Sequence, residues 1–336
     1  MRAMSLGAPA PVESGPLACI EKPVPVPGPD ELLVAVEVCG VCRTDLHLVE
    51  GELAPRRPGI VPGHQVVGKV AGRGAAVRRF REGDAVGVAW LRRACGVCRF
   101  CASGRENLCL APQFTGWDAD GGFAEFVTVP EAFAHPMPAA LDPMQSAPLL
   151  CAGIIGYRAF VTAGVRRGGR LGLYGFGGSA HIAIQVARHH GCEVFVVTRG
   201  GVHRELAESL GATWVGAAGE PPPAPLDGAI LFAPAGWLVP VALAALDRGG
   251  TLAVAGIHLS QIPPLDYQAH LFQERRLRSV TANTRADGEA LLALAVEIPI
   301  RTHTQAYPLE AANQALLDLK RDRVRGSAVL EIRRPE

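Results

Sequence analysis

No apolar run in the 336-residue chain approaches the length that crosses a bilayer, and the N-terminus lacks the basic-then-apolar order of a secretory signal. Charge is sparse and balanced. Only 19% of residues are charged and the net charge is +1, so there is no basic field of the kind that nucleic acid or an anionic membrane selects. Lysine is nearly missing, at Lys22, Lys69 and Lys320 alone, and arginine carries the rest of the positive charge, which reads as compositional bias rather than function. These absences leave a globular protein expected in the cytoplasm, with neither nucleic acid nor membrane as a partner. An apolar content of 49% is ample to bury a core, and the length suggests about two domains.

Cysteine is better represented, at nine residues. In a reducing compartment these are expected to be thiols or metal ligands rather than disulfides. Cys95, Cys98, Cys101 and Cys109 form a C-x2-C-x2-C-x7-C pattern. Four thiolates at that spacing close a tetrahedral shell, the structural kind of zinc site; an iron-sulfur cluster also takes four cysteines and is the competing reading. A different grouping occurs earlier, in Cys42-Arg43-Thr44-Asp45-Leu46-His47 and then Gly63-His64-Gln65. A catalytic zinc takes three protein ligands and keeps one position open, so Cys42 and His64 supply two and a third has to come from elsewhere. Cys151 opens an apolar helix and, taken alone, is a core thiol.

The first 90 residues or so alternate apolar and polar in short runs such as Glu31 to Val38 and His64 to Val70, broken by Pro23, Pro25, Pro27 and Pro29. That is the rhythm of an all-β, barrel-like unit. From Arg170 the cadence changes. Leu171 to Tyr174 is a short apolar strand, and Gly175-Phe176-Gly177-Gly178-Ser179-Ala180 leads into a helix ending near His190. A G-x-G-x-x-A turn between strand and helix is a dinucleotide fingerprint, with glycines allowing close approach of a pyrophosphate to the helix N-terminus. The next strand ends at Thr198-Arg199. An NAD site usually places an acid there, whereas a neutral residue with arginine suits the 2'-phosphate of NADP; Thr198, Arg199 and Arg204 therefore favour NADP over NAD. Strands at 229–232, 251–255 and 278–281 alternating with helices give βαβ cadence and a parallel sheet. The proline-rich stretch from Glu220 to Pro225 is a stiff spacer, and helices near 288–296 and 309–320 with a strand at 327–332 return to the first domain.

With both cysteine groups and the fingerprint in view, the sequence resembles the zinc-dependent medium-chain alcohol dehydrogenases from end to end, most closely the branch with cinnamyl-alcohol-type and bacterial enzymes. The resemblance implies an α/β fold made of a GroES-like β-barrel catalytic domain (1–152), a Rossmann doubly wound parallel sheet (153–282) and a return segment (283–336). It implies that Cys42, His64 and Cys151 hold a catalytic zinc and that Cys95, Cys98, Cys101 and Cys109 hold a structural one. It also implies that Thr44 takes the alcohol proton, that His47 relays it outward, that Asp45 orients the histidine and that Arg43 contacts a cofactor phosphate. Trp90 and Trp117 fall where relatives wall the substrate pocket. The expected activity is hydride transfer between NADP(H) and a primary or secondary alcohol, or the aldehyde or ketone, in a homodimer or homotetramer. The alternatives are a polyol or amino-alcohol dehydrogenase of the same fold, or a non-enzymatic nucleotide-binding zinc protein. Three positions depart from the family pattern: Gln65 replaces a usual glutamate, Ile155 a threonine and Ser327 an arginine, with Arg325 close by. The neutral amide at Gln65 either makes the site less anionic or is a tolerated isostere.

Overall fold

A computed structural model describes residues 1–298 and 300–332; Pro299 and residues 333–336, which fall in the expected return segment, lie outside the described residues. The chain divides into two compact units, residues 1–151 with 282–336 and residues 152–281. No single helix among the described residues is long and apolar enough to cross a membrane.

The first unit is built on a seven-stranded sheet. Its order is Thr304–Pro308, Ser327–Glu331, Glu31–Val41, Gln65–Arg73, Ala85–Val88 and Ala134–Pro136, with Phe126–Pro130 also pairing to Glu31–Val41. In Glu31–Val41 the side chains alternate between half-buried and buried as far as Glu37, and from Val38 onward all are buried. The change coincides with a register shift between Val36 and Val38 against the neighbouring strand. The extra residue there is a β-bulge, and beyond it residues facing both sides are buried, so the end of the strand runs through the interior. Leu32, Val34 and Val36 join Val66, Val70, Val86, Val127 and Val129 in the core beneath.

The second unit is a six-stranded, all-parallel sheet in the order Trp214–Gly216, Glu193–Val197, Arg170–Tyr174, Leu226–Leu231, Leu246–Val254, Arg276–Ser279. Read in chain order this is 3-2-1-4-5-6, the doubly wound arrangement whose switch point lies beside its first strand. The expected strands and helices of this region are present, and the expected α/β architecture holds. The short strand Trp214–Gly216 carries too little alternation to be seen in sequence. The connection 217–225 contains no helix, although a parallel crossover ordinarily uses a dozen or more residues and a helix. Its prolines supply stiffness in place of a helix.

His135, on the strand Ala134–Pro136, is 3% exposed, and a Cβ at Gly288 would collide with its ring. Burial, reinforced by Arg79 and Arg285, holds the imidazole down to about 4. The unfolded chain therefore binds a proton between about pH 6.5 and 4 that the folded chain refuses. Stability from this residue is complete above about pH 6.5 and is lost as pH falls through 4, by about 3 kcal/mol in all. Urea midpoints of His135→Gln should consequently fall less between pH 7 and pH 4.5 than those of the unaltered chain, and parallel pH profiles would contradict this reading.

Candidate metal centre and nucleotide site

Strand register sets the first site. Gly40 pairs with Gln65 across the antiparallel ladder, so Cys42, just past one strand, and His64, just before the other, leave the sheet together. Cys42 caps the helix Arg43–Glu50, and its backbone N–H donates to Asp45 Oδ2 at 3.0 Å. Cys151 follows the buried turn Ala147–Leu150. The ligand atoms of Cys42, His64 and Cys151 all lie within 4.8 Å of one another, and Cys42 Sγ is 3.3 Å from His64 Nε2. Tetrahedral zinc with its usual bond lengths would set sulfur and nitrogen about 3.6 Å apart, so the donor set fits zinc and leaves a fourth position free.

Asp45 is 2% exposed and His64 1%. Besides the Cys42 N–H, the carboxylate accepts the Gly63 N–H at 3.0 Å, and its Oδ1 lies 3.3 Å from His64 Nδ1. Burial disfavours charge on His64, but Asp45 and Cys42 outweigh it and lift the ring to about 10. The surroundings thus call for positive charge at this imidazole, which a divalent metal provides. Thr44 is buried one residue from Asp45, and His47, on the same helix, is partly exposed and engages Glu52. Arg43 is half exposed, and its guanidinium is 2.7 Å from Asp322.

Beside His64 stand three aromatic rings. Trp90 meets the imidazole edge-on at 4.8 Å and lies nearly parallel to Phe114, at 4.9 Å, and to Trp117, at 6.0 Å.

Cys95, Cys98, Cys101 and Cys109 are gathered as the spacing suggested. The sulfurs of Cys98 and Cys101 are 3.5 Å apart and those of Cys95 and Cys101 are 3.9 Å apart, against about 3.8 Å for two thiolates on one tetrahedral zinc. Backbone N–H groups point at the sulfurs, Cys95 N to Cys109 Sγ at 3.2 Å and Cys98 N to Cys95 Sγ at 3.4 Å. Such donors, from Cys101 and Leu110, draw Cys98 down to about 6, toward the thiolate that a metal takes.

In the second unit the fingerprint lies between the strand Arg170–Tyr174 and the helix Ala180–His189. Gly175 has φ of +90°, and a Cβ there would press on Ala233 at 2.9–3.2 Å. A Cβ on Gly177 would meet nothing within 4 Å, so the turn leaves open space next to its backbone, as a pyrophosphate cradle requires. Gly178 follows in the turn that enters the helix. Thr198 is buried and donates its N–H to Gly216, Arg199 is exposed, and Arg204 lies half-buried on the helix Gly201–Ser209.

A metal-binding β-domain with one three-ligand and one four-thiolate cluster, on the same chain as a doubly wound nucleotide sheet, defines a class: metal-dependent dehydrogenases. Residues 28–139 match the family described as alcohol dehydrogenase GroES-like domain, and residues 178–297 match zinc-binding dehydrogenase. "Probable alcohol dehydrogenase AdhA" of Mycobacterium tuberculosis is 56% identical over 337 residues, covering 99% of this chain and 97% of that protein. A cinnamyl alcohol dehydrogenase structure from Sorghum bicolor superposes with a TM-score of 0.89 at 28% identity, over 98% of this chain and 97% of that one. The cobalt- and zinc-bound thermostable alcohol dehydrogenase of Pyrobaculum aerophilum gives a TM-score of 0.90 at 27% identity, over 99% of both chains. The chain belongs to the zinc-dependent medium-chain alcohol dehydrogenases. It is an alcohol oxidoreductase that uses zinc and a nicotinamide cofactor, and the non-enzymatic alternative falls away.

Sequence reasoning missed three neighbours of the site. Glu52, the partner of His47, lies past the helix end and has no spacing signature. Arg56 and its contact with Trp117 join separate loops. The third is the dependence of Gly40 on Gln65. Gln65 is 2% exposed, its Nε2 has no hydrogen-bond partner among the described residues, and its side chain lies across the space where a Cβ of residue 40 would sit, 2.9–3.0 Å from Cβ, Cδ and Oε1. Gly40→Ala should therefore destabilise the chain by about 1–3 kcal/mol through overpacking. Adding Gln65→Ala should recover most of that loss in chemical denaturation, and strictly additive losses would show that the two residues do not compete for this space.

Proposed function

We propose that Cys42, His64 and Cys151 hold the catalytic zinc and that the four-cysteine cluster holds a second, structural zinc. The observation that carries this reading is the convergence of three donor atoms, one short of a tetrahedron, beside a buried carboxylate. When bound, the catalytic zinc acts as a Lewis acid on the oxygen of an alcohol or carbonyl substrate, which lets hydride pass to or from the nicotinamide. The protein's own residues do the rest. Asp45, fixed by two backbone donors, holds the His64 ring in orientation. The Thr44 hydroxyl receives the alcohol proton, and His47, with Glu52 at its Nδ1, passes it to solvent. Gly175, Gly177 and Gly178 cradle the pyrophosphate. Arg43 reaches a cofactor phosphate by exchanging its Asp322 partner for it. Thr198, Arg199 and Arg204 receive the 2'-phosphate of NADP in preference to NAD, since no acid stands at the end of the second strand to repel it. The enzyme works in the cytoplasm as a homodimer or homotetramer.

Metal analysis of purified protein should find about two zinc ions per chain, three- and four-ligand sites each taking one. NADPH should give the higher kcat/KM with aliphatic and aromatic aldehydes, and Arg199→Ala should lower the NADPH-to-NADH ratio roughly 10- to 100-fold, the loss of one charged hydrogen bond. A single zinc, or an NADH preference that Arg199→Ala leaves untouched, would sink these assignments.

Gln65 bears on the chemistry as well. Two thiolates already neutralise zinc's charge, and a further anion would disfavour deprotonation of the alcohol. Gln65→Glu should move the acid limb of the alcohol-oxidation profile up by roughly one pH unit and shorten zinc retention under a chelator. Unchanged limb and retention would make Gln65 a silent isostere.

A further inference from the structure

The aromatic wall beside His64 is not held by aromatic contacts alone. Trp117 sits on the loop after Gln113–Phe114, and its indole Nε1–H donates to the carbonyl of Ala54 at 2.9 Å, in a different loop. From that second loop Arg56 lays its guanidinium over the Trp117 ring, 3.9 Å from the centroid. The same guanidinium pairs with Asp118, and Asp118 in turn accepts the backbone N–H of Phe114 at 2.7 Å. One arginine thus ties together Trp117, Asp118 and, through Asp118, the backbone of Phe114. The rings it steadies are nearly parallel, with 10° between Trp90 and Trp117, 21° between Trp90 and Phe114 and 30° between Phe114 and Trp117. Trp90 carries the set to the imidazole of His64, with centroids 4.8 Å apart.

We propose that Arg56 is a positioning residue that fixes Trp117 parallel to Trp90 and Phe114, and thereby sets how strongly the site prefers flat, aromatic alcohols and aldehydes over short aliphatic ones. This rests on the reading of the His64 centre as the place where the alcohol binds. The physical basis is the strength of an arginine on an indole face, the best of the aromatic partners, reinforced because its charge is fixed in place by Asp118. A tryptophan stacked only on other rings keeps freedom to tilt about its side-chain torsions. With cation, carbonyl and ring neighbours all engaged, that freedom is removed before the substrate arrives, and ordering on binding no longer opposes affinity. Lysine at the same position keeps the charge but not the planar face, so it is a selective probe. Arg56 is close to half exposed, which makes its replacement compatible with folding.

The test uses zinc-loaded, full-length enzyme and the variants Arg56→Ala, Arg56→Lys and Trp117→Leu. For Arg56→Ala the KM for benzyl alcohol should rise roughly 3- to 10-fold more than the KM for propanol, with kcat falling less than KM rises. Near-UV circular dichroism from the coupled indoles should weaken, and acrylamide should quench tryptophan emission more readily. Arg56→Lys should restore less than half of the KM change. In a Trp117→Leu background, Arg56→Ala should have little further effect on the KM ratio, because its action runs through that ring. An unchanged near-UV spectrum and KM ratio in Arg56→Ala would overturn the proposal, and so would an equal effect in the Trp117→Leu background. If the unaltered enzyme oxidised no alcohol, the reading of the centre would fail, while the spectra would still decide whether Arg56 holds the wall.

Discussion

The buried carboxylate of Asp45 is the constraint around which the metal centre is arranged. It accepts N–H groups from Cys42 and Gly63 and faces the Nδ1 side of His64. These three groups come from the end of one strand, the approach to the next and the ligand itself. A carboxylate with 2% exposure is tolerable only with such partners, because an uncompensated buried charge costs several kcal/mol. The same contacts that make Asp45 tolerable therefore fix the separation of the two ligand-bearing segments. Folding and ligand placement are one event here, and the metal meets a largely prepared site.

The two cysteine clusters divide the work by closure. On the proposed reading the three-donor group leaves one tetrahedral position open, whereas the four-thiolate group leaves none and has backbone donors aimed at its sulfurs. A closed cluster is useful only if it fastens something. Glu106, three residues before Cys109 in the chain and itself buried, accepts both the backbone N–H and the side-chain Nε–H of Arg285 at 3.0 and 3.1 Å. Arg285 is the first residue of the helix Arg285–Glu297, where an anion is favoured by the unsatisfied N–H groups. The cysteine lobe is thus tied to the start of the segment that returns to the first unit.

Much of this was legible in residue order, for identifiable reasons. The strand-glycine-helix transition at Tyr174 to Ala180 is local, so hydrophobic period and glycine positions suffice to find it. The four-cysteine cluster is also local, its ligands falling within one loop. Cys151 was different: chemically it looked like any core thiol, and only the resemblance supplied its place, because nothing between residues 65 and 150 encodes the distance to Cys42. The least legible features are those made across loops, Arg56 on Trp117 and Glu52 at His47, since such pairs share no period and no spacing. Asp45 lies between these extremes. Cys42-x-x-Asp45 has the separation of a capping box, which would have placed the helix start, but cysteine is not a usual capping residue.

Gln65 shows how stability and chemistry coincide at one position. An amide in a 2%-exposed slot, its Nε2 without a hydrogen-bond partner among the described residues, costs about 1–3 kcal/mol. A carboxylate in the same slot would bring a second negative charge into a region that already holds buried Asp45, and like charges at low dielectric oppose one another more strongly than a missing hydrogen bond does. The amide is therefore the smaller burden on folding. It is also the residue that adds no negative charge where an alcohol has to lose a proton. Gly40 completes the arrangement, since only a residue without a Cβ leaves the amide room to lie against the strand. Gly40 and Gln65 thus fit one another across two neighbouring strands.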